Sequence, residues 1–333
     1  MRASISLWRN EFGPDTCFLL LSTYSRFTVF QLEWFAMQSC WLNAPAKINL
    51  YLEITGDRPD GYRSVVMVLQ SIALSDRVRI ELGGHDIIVR CDHPDVPETE
   101  QNLAYRAAAL LADTCDRHTG VRIHIDKRIP VGAGLAGGST DAAAVLIGLN
   151  QLWQLGLTTG ELQTLAAKLG SDIPFCVRGG TMLATGRGEQ LSPLQDLNSL
   201  WLLLAKPTDI AISTAWAYNT YASLPAFAAH RPISQMLSAI AHQDIPAVAR
   251  CLHNDLELAV FPAHDRIAQL KQAMLASDDT QGAMMSGSGS TVFAVLNSQA
   301  QAESLRARLK PAFGGVDFWV THTTAAGIEI APH

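Results

Sequence analysis

The sequence predicts an α+β fold in two domains, one over residues 43–195 and one over residues 196–330. Three observations carry this expectation. Residues 47–91 hold several short stretches in which apolar and polar residues alternate, the period of half-buried strands. Residues 121–153 run from a strand through a glycine-rich loop into a helix. A new apolar strand begins near Ser199, after the polar QDLNS, and leads through helical stretches to a closing strand, helix and strand. At 333 residues, with 48% hydrophobic and 17% charged side chains, the chain is long enough to bury cores for both.

Residues 1–36 differ from the rest. The stretch CFLLLSTYSRFTVFQLEWF is apolar but broken by Arg26 and Glu33, and Glu11 and Asp15 precede it. It suits neither a membrane span nor a signal peptide. We expect Met37 to be the biological start and the residues before it to be a dispensable leader.

From Lys47, the residues Ile48, Leu50, Leu52 and Ile54 alternate with Asn49, Tyr51 and Glu53, so a strand is expected with Lys47 and Asn49 side by side on its polar face. Arg58-Pro59-Asp60-Gly61 is a turn signature, followed by Tyr62 and Arg63. SVVMVLQSIAL, DRVRIEL and DIIVRC read as successive strands. NLAYRAAALLADTCDR reads as a helix, with Leu103, Ala107, Leu110 and Leu111 on one face.

VRIHID alternates cleanly and ends just before Pro130. The next residues, to Ala144, carry glycines at 132, 134, 137 and 138, then Ser139-Thr140-Asp141 and an alanine run. A glycine loop between a strand and a helix presents backbone N–H groups, backed by the positive end of the helix dipole, to one point. Ser139 or Thr140 is expected to cap the helix or reach a ligand oxygen. A phosphate is the natural occupant. Two familiar phosphate loops do not fit: Gly138 stands where the lysine of G-x-x-x-x-G-K-[ST] is required. The residues after the helix, TTGELQTLAAKLG, read as another helix where a dinucleotide fold needs a strand.

That helix stops at Gly170, and Asp172 lies just beyond it, ahead of Pro174. Taken alone, Asp172 reads as a turn or capping residue. RGGTMLATGRGEQL reads as a glycine-bounded strand that closes the first domain. In the second domain LWLLLAKP is a strand, ISTAWAYNTY, ISQMLSAI and IPAVARCL are helices, and HNDLELAVFPAHDRIAQLKQAML leads into a long one. A Gly-Ser run from Ser286 to Ser290 precedes the strand TVFAVL, and a helix over 300–309 and the strand VDFWVTHT end the fold.

Net charge is −6 with lysines and arginines scattered, so no nucleic-acid surface is expected. The six cysteines (Cys17, Cys40, Cys91, Cys115, Cys176, Cys251) have no metal spacing and read as reduced thiols of a cytoplasmic protein. His253 and His264 have no partner at ligand spacing and read as surface residues.

Pro130, Gly134-Leu135, Gly138-Ser139-Thr140 and Ala142-Ala143 together resemble the P-x3-G-L-x-S-S-A loop of the GHMP kinases. Pro45-Ala46-Lys47-Ile48-Asn49-Leu50 resembles that family's first motif, Gly170 to Pro174 its G-x-D-I/V-P step, and Ser286, Gly287, Ser288 and Gly289 its third loop. All occur in family order over residues 43–325. The resemblance implies a ribosomal-protein-S5-like domain followed by a ferredoxin-like one. It implies phosphorylation of a small-molecule alcohol by ATP with Mg²⁺. The glycine-rich form of the loop resembles the branch whose substrate is a cytidine diphosphate-linked methylerythritol, phosphorylated on its 2-hydroxyl.

On that resemblance Lys47 and Asp172 are the catalytic residues, Asp172 as general base. The ATP cradle is Pro130, Val131, Gly132, Ala133, Gly134, Leu135, Ala136, Gly137, Gly138, Ser139 and Thr140. Asn49, Tyr62, Arg63 and Tyr218 hold the substrate, the two tyrosines sandwiching the cytosine. Arg63 stands where that branch has a histidine. No protein ligand to Mg²⁺ is assigned beyond a hydroxyl of Ser139 or Thr140. No membrane partner is expected, and the chain should be a monomer or weak homodimer. The rivals are a GHMP kinase for a smaller alcohol such as homoserine, and a non-catalytic metabolite sensor on the same scaffold.

Overall fold

The computed structural model describes residues 38–59, 61–197, 200–224 and 232–331, and the expected leader lies outside them. From Ser39 onward the chain is one compact unit built on two sheets. The first opens with a long hairpin, β1 (Ser39–Asp57) against β2 (Arg63–Leu82), closed at Arg58–Gly61 by the N–H of Gly61 on the carbonyl of Arg58 (3.1 Å). Two strands expected in succession, SVVMVLQSIAL and DRVRIEL, are thus one continuous β2. Strands β3 (Ile87–Cys91) and β4 (Val121–Asp126) lie parallel, joined by helix α1 (Leu103–Cys115), and β4 pairs with β2. A short hairpin, β5 (Thr181–Thr185) and β6 (Gln190–Pro193), adds to the same sheet through β5 on β2.

β1 departs from simple alternation. Register shifts at Pro45/Ala46, Asn49/Tyr51 and Ile54/Gly56 break its pairing with β2, and every residue from Ala46 to Leu52 is buried. A bulge adds a residue to one strand and turns the following side chains to the opposite face. Ala46, Ile48, Leu50 and Tyr51 therefore join one core, and Leu52 and Ile54 the other. The polar face expected here is not turned to bulk water at Lys47 and Asn49. Tyr51 is fully buried, and Lys47 and Asn49 are buried at 5% and 1% exposure, facing a cavity instead of bulk water.

Helix α2 (Gly137–Leu152) carries the glycine loop onto the sheet, and its alanines and Val145, Leu146 and Leu149 are buried. The helix needs a small residue where it packs on the sheet: a Cβ on Gly148 would stand 2.5 Å from Ile80. Helix α3 (Thr159–Ala166) opens with a capping box between Thr158 and Glu161. The short helix α4 (Ile173–Arg178) follows, against expectation: Pro174 sits in its first turn, where a missing N–H costs nothing, so it starts a helix there.

A second sheet follows in sequence. Its order is β11-β7-β10-β9, all antiparallel, with β7 (Trp201–Pro207), β9 (Gly282–Met285), β10 (Val292–Leu296) and β11 (Val316–His322). Helix α9 (Asp265–Leu275) lies between β7 and β9 in sequence, and α10 (Gln299–Leu309) between β10 and β11, giving the split β-α-β weave the sequence predicts. Helices α5 (Thr214–Ala222), α6 (Ile233–Ala241) and α7 (Ile245–Arg250) fill the crossover. The stretch expected to run on into a long helix is divided. It forms β8 (His253–Asn254), which pairs parallel with β1, then α8 (Glu257–Val260), then α9, with Pro262 at the last break. A final strand, β12 (Glu329–Ala331), returns to β1. The later half of the chain therefore supplies two strands to the first sheet.

His253 is no surface histidine: its Nε2 lies 2.8 Å from Oδ1 of Asp255 and its ring stands 5.3 Å from that of Tyr51. Five of the cysteines are unbridged, Cys17 lying outside the described residues. Among the described residues no helix is long and apolar enough to cross a membrane.

Candidate active site

Where the two sheets meet, a cavity of about 800 Å³ is lined by the glycine loop, β1, the start of β2, the turn between β5 and β6, the head of α4, and α5. Its ceiling is the loop itself. Gly132 and Gly134 have φ of +62° and +73°, and Ala136, also left-handed at +59°, precedes the first residue of α2. No side chain caps α2, so Ser139 and Thr140 lie within its first turn and do not precede it as caps. Intrahelical bonding starts with Thr140 N–H on Ala136 O (2.9 Å). The N–H groups of Gly137, Gly138 and Ser139 precede any i→i−4 partner, the usual state of a helix start and a ready anion site.

Two segments far apart in sequence are stitched to this loop by three hydrogen bonds. The Lys47 N–H donates to Leu135 O (3.1 Å), the Thr291 N–H to Ala133 O (3.3 Å), and the Ser286 hydroxyl to Gly134 O (3.1 Å). A Cβ on Gly134 would run into the carbonyl oxygen of Ser286. Gly134→Ala is therefore expected to lower the unfolding free energy by about 2 kcal/mol or more, from the left-handed backbone and this collision together. Urea denaturation reads the effect, and an unchanged midpoint would show that the two loops yield freely.

Lys47 reaches into the cavity from β1. Its Nζ donates to Asn49 Oδ1 (2.7 Å) and lies 3.6 Å from Asp172 Oδ2. Asp172 precedes α4 but makes no capping hydrogen bond, so its carboxylate, 36% exposed, is turned to the cavity. Asn49 is fixed further by the contact of its Nδ2 with Met67 Sδ (3.4 Å). A Cβ on Gly287 would lie 3.5 Å from Lys47 Nζ, which brings the Gly-Ser run of residues 286–290 to the same spot. The Asn254 amide holds that run by donating to the carbonyls of Met285 and Gly287, both at 2.8 Å.

Of the residues expected from sequence, Lys47, Asn49, Tyr62, Arg63, Asp172, Tyr218, Gly287, Ser288 and the whole of 130–139 line this one cavity. Thr140, Ser286 and Gly289 do not: Thr140 and Ser286 are fully buried behind it. Tyr218, on α5, has its phenol pushed up by burial and then by the charges of Asp172 and Asp255. Tyr62 is at the rim, 55% exposed, and Arg63 is paired with Asp57.

Sequence reasoning missed a buried triad beneath the loop. Lys127 Nζ bonds Asp141 Oδ2 (2.7 Å) and the carboxylate of Asp76, and all three side chains are at most 4% exposed. A Cβ on Gly137 would lie 2.9 Å from that ammonium. Burial works to lower the Lys127 pKa, but Asp141 and Asp76 outweigh it and the net shift is upward. Burial also pushes the Asp141 carboxyl up to about 7, against the pull of Lys127. Asp141 lines the cavity, but its Oδ1 is buried and has no hydrogen-bond partner. No lysine stands at Gly138, and the Lys127 ammonium, from the end of β4, lies beneath the loop instead. Its one signal in the sequence was its place three residues before Pro130, at a strand end.

Residues 102–180 match the GHMP kinases N terminal domain and residues 236–315 the GHMP kinases C terminal domain. The 4-diphosphocytidyl-2-C-methyl-D-erythritol kinase of Synechococcus sp. (strain JA-3-3Ab) is 55% identical over 302 residues, covering 89% of this chain and 97% of that protein. A crystal structure of 4-(cytidine 5'-diphospho)-2C-methyl-D-erythritol kinase superposes with a TM-score of 0.70 at 32% identity, over 85% of this chain and 99% of that one. Homoserine kinase from Cytophaga hutchinsonii, at 18% identity and a TM-score of 0.72 over 89% of this chain and 98% of its own, shares the fold. The chain is an ATP-dependent kinase of two-domain GHMP architecture, and it belongs to the 4-diphosphocytidyl-2-C-methyl-D-erythritol kinase family.

Proposed function

We propose that the protein transfers the γ-phosphoryl group of ATP to the 2-hydroxyl of 4-diphosphocytidyl-2-C-methyl-D-erythritol, a step of the non-mevalonate route to isoprenoid precursors. The relative at 55% identity supports the substrate. The observation that carries the chemistry is the Lys47–Asp172 pair, 3.6 Å apart in the cavity roofed by the glycine loop.

Phosphoryl transfer asks a protein for position and charge stabilisation more than for covalent chemistry. The amides of residues 132–139 hold the triphosphate, with the Lys127 ammonium beneath them. Asp172 accepts the proton of the attacking hydroxyl as the new O–P bond forms and the bond from Pγ to the β-phosphate oxygen breaks, releasing ADP. Lys47, fixed by Asn49, stands beside the moving phosphoryl and stabilises its charge. Tyr62 and Tyr218 hold the cytidylyl substrate. Thr140, buried away from the cavity, supports α2 and makes no contact with ATP.

Among the described residues no cluster of three His, Cys, Asp or Glu forms a metal cage. Mg²⁺ bound with the nucleotide would neutralise phosphate charge and needs few protein oxygens. The Ser139 hydroxyl, in the first turn of α2 on the cavity wall, is the oxygen that would help hold it.

ADP release measured with the cytidylyl substrate, homoserine and mevalonate tests this reading. Turnover is expected with the first, and kcat/KM at least ~10²-fold lower with the others, which leave the far end of the site unfilled. Preference for homoserine or mevalonate would refute the substrate assignment.

A further inference from the structure

We propose that Arg187 is the charge partner of the substrate's diphosphate, an assignment that rests on the cytidylyl reading above. Four positively charged side chains line the cavity: Lys47, Arg63, Lys127 and Arg187. Three are already matched. Lys47 faces Asp172 and bonds Asn49, Arg63 pairs with Asp57, and Lys127 bonds two carboxylates. Among the described residues the nearest acid to the Arg187 guanidinium is Glu189, whose Oε2 is 3.9 Å from Nε, beyond hydrogen-bond length. A diphosphate enters this cavity with about two negative charges and requires a cation whose donors are not committed elsewhere.

The backbone is built to hold Arg187 there. It sits in the turn between β5 and β6 with Gly186 at φ +73° and Gly188 at φ +109°, values that favour glycine. Gly186 O accepts from Val65 N–H (2.9 Å), which fastens the turn to β2 next to Tyr62 and Arg63. The Glu189 carboxylate accepts the Arg187 N–H (2.7 Å) and folds the turn on itself. A Cβ on Gly188 would stand 2.6 Å from Met67 Cε, and Met67 in turn touches Asn49. The turn therefore packs on the wall between the rim tyrosine and the Lys47 cluster. From it the guanidinium lies over the Tyr62 ring, 4.8 Å from its centroid. Stacking keeps a guanidinium's N–H groups in plane and directed outward, the arrangement that binds phosphate oxygens in pairs. A substrate whose base rests at Tyr62 and whose hydroxyl rests at Asp172 must carry its diphosphate across this position.

The test compares wild type, R187Q and R187K with the cytidylyl substrate, with ATP, and with CDP and cytidine as competitive inhibitors. R187Q is expected to raise KM for the substrate and the inhibition constant of CDP by about 10- to 100-fold, the worth of a charge-assisted hydrogen bond. KM for ATP and the weak inhibition by cytidine should stay within about two-fold, with the loss in KM and not in kcat. R187K, which keeps the charge without the fork, should fall between. Equal losses on cytidine and CDP, a raised KM for ATP, or undiminished CDP inhibition would each overturn the assignment. If wild type turns over the cytidylyl substrate while R187Q binds CDP normally, Arg187 alone is misassigned. If wild type does not turn it over, both readings fall.

Discussion

Asp172→Asn is expected to lower kcat by ~10²–10⁴-fold, the usual contribution of a positioned acid or base. The amide keeps the shape of the side chain and cannot take the hydroxyl proton. Because Asp172 makes no capping bond with α4, the substitution should leave the fold intact. It also removes the negative charge 3.6 Å from Lys47, so binding of anionic ligands should hold steady or tighten while the chemical step fails. Steady-state ADP release beside a thermal melt separates the two effects. A variant that melts like wild type and turns over within a few-fold of it would reduce Asp172 to a turn residue.

Asp76→Ala should be the most damaging single change to the fold outside the hydrophobic cores. The carboxylate is fully buried. Its Oδ1 accepts from the N–H groups of Arg128 (2.6 Å) and Ile129 (2.8 Å), and Oδ2 bonds Lys127. Removing it strands two backbone donors at the entrance to the glycine loop and leaves the Lys127 ammonium with Asp141 alone. Breaking a buried ion pair from one side costs about 3–5 kcal/mol. Chemical denaturation should show a loss of that size, together with a raised KM for ATP because the loop loses its anchor. A loss under about 1 kcal/mol would mean that water replaces the carboxylate easily and that the triad is not structural.

The parts of the site that depend on backbone were legible in the sequence. Glycine spacing after an alternating strand located the loop, whereas Asp172 alone reads as a turn residue and only the resemblance of Gly170 to Pro174 to a family motif singles it out. What the sequence misjudged were places where tertiary packing overrides a local period. Lys47 and Asn49 alternate with apolar residues and so read as solvent-facing, yet register shifts in β1 and a second layer of structure bury them. Pro174 reads as a helix stop because its ring excludes an interior position, and it is a helix starter for the same reason one turn earlier. Lys127, Asp76 and Asp141 are separated by 51 and 14 residues along the chain, so only the pairing of β2 with β4 and the docking of α2 unite them. Arg187 looked like part of a glycine-bounded strand, and its meaning depends on which ring it covers.

A crystal structure with a non-hydrolysable ATP analogue and the cytidylyl substrate bound together decides whether the loop, Lys47 and Asp172 act at one phosphoryl group. The account predicts the triphosphate on the amides of residues 132–139, with the acceptor hydroxyl about 3 Å from an Asp172 carboxylate oxygen and in line with the γ-phosphorus. Lys47 Nζ should contact a γ-phosphate oxygen. A triphosphate bound away from those amides, or an acceptor hydroxyl out of reach of Asp172, would contradict it.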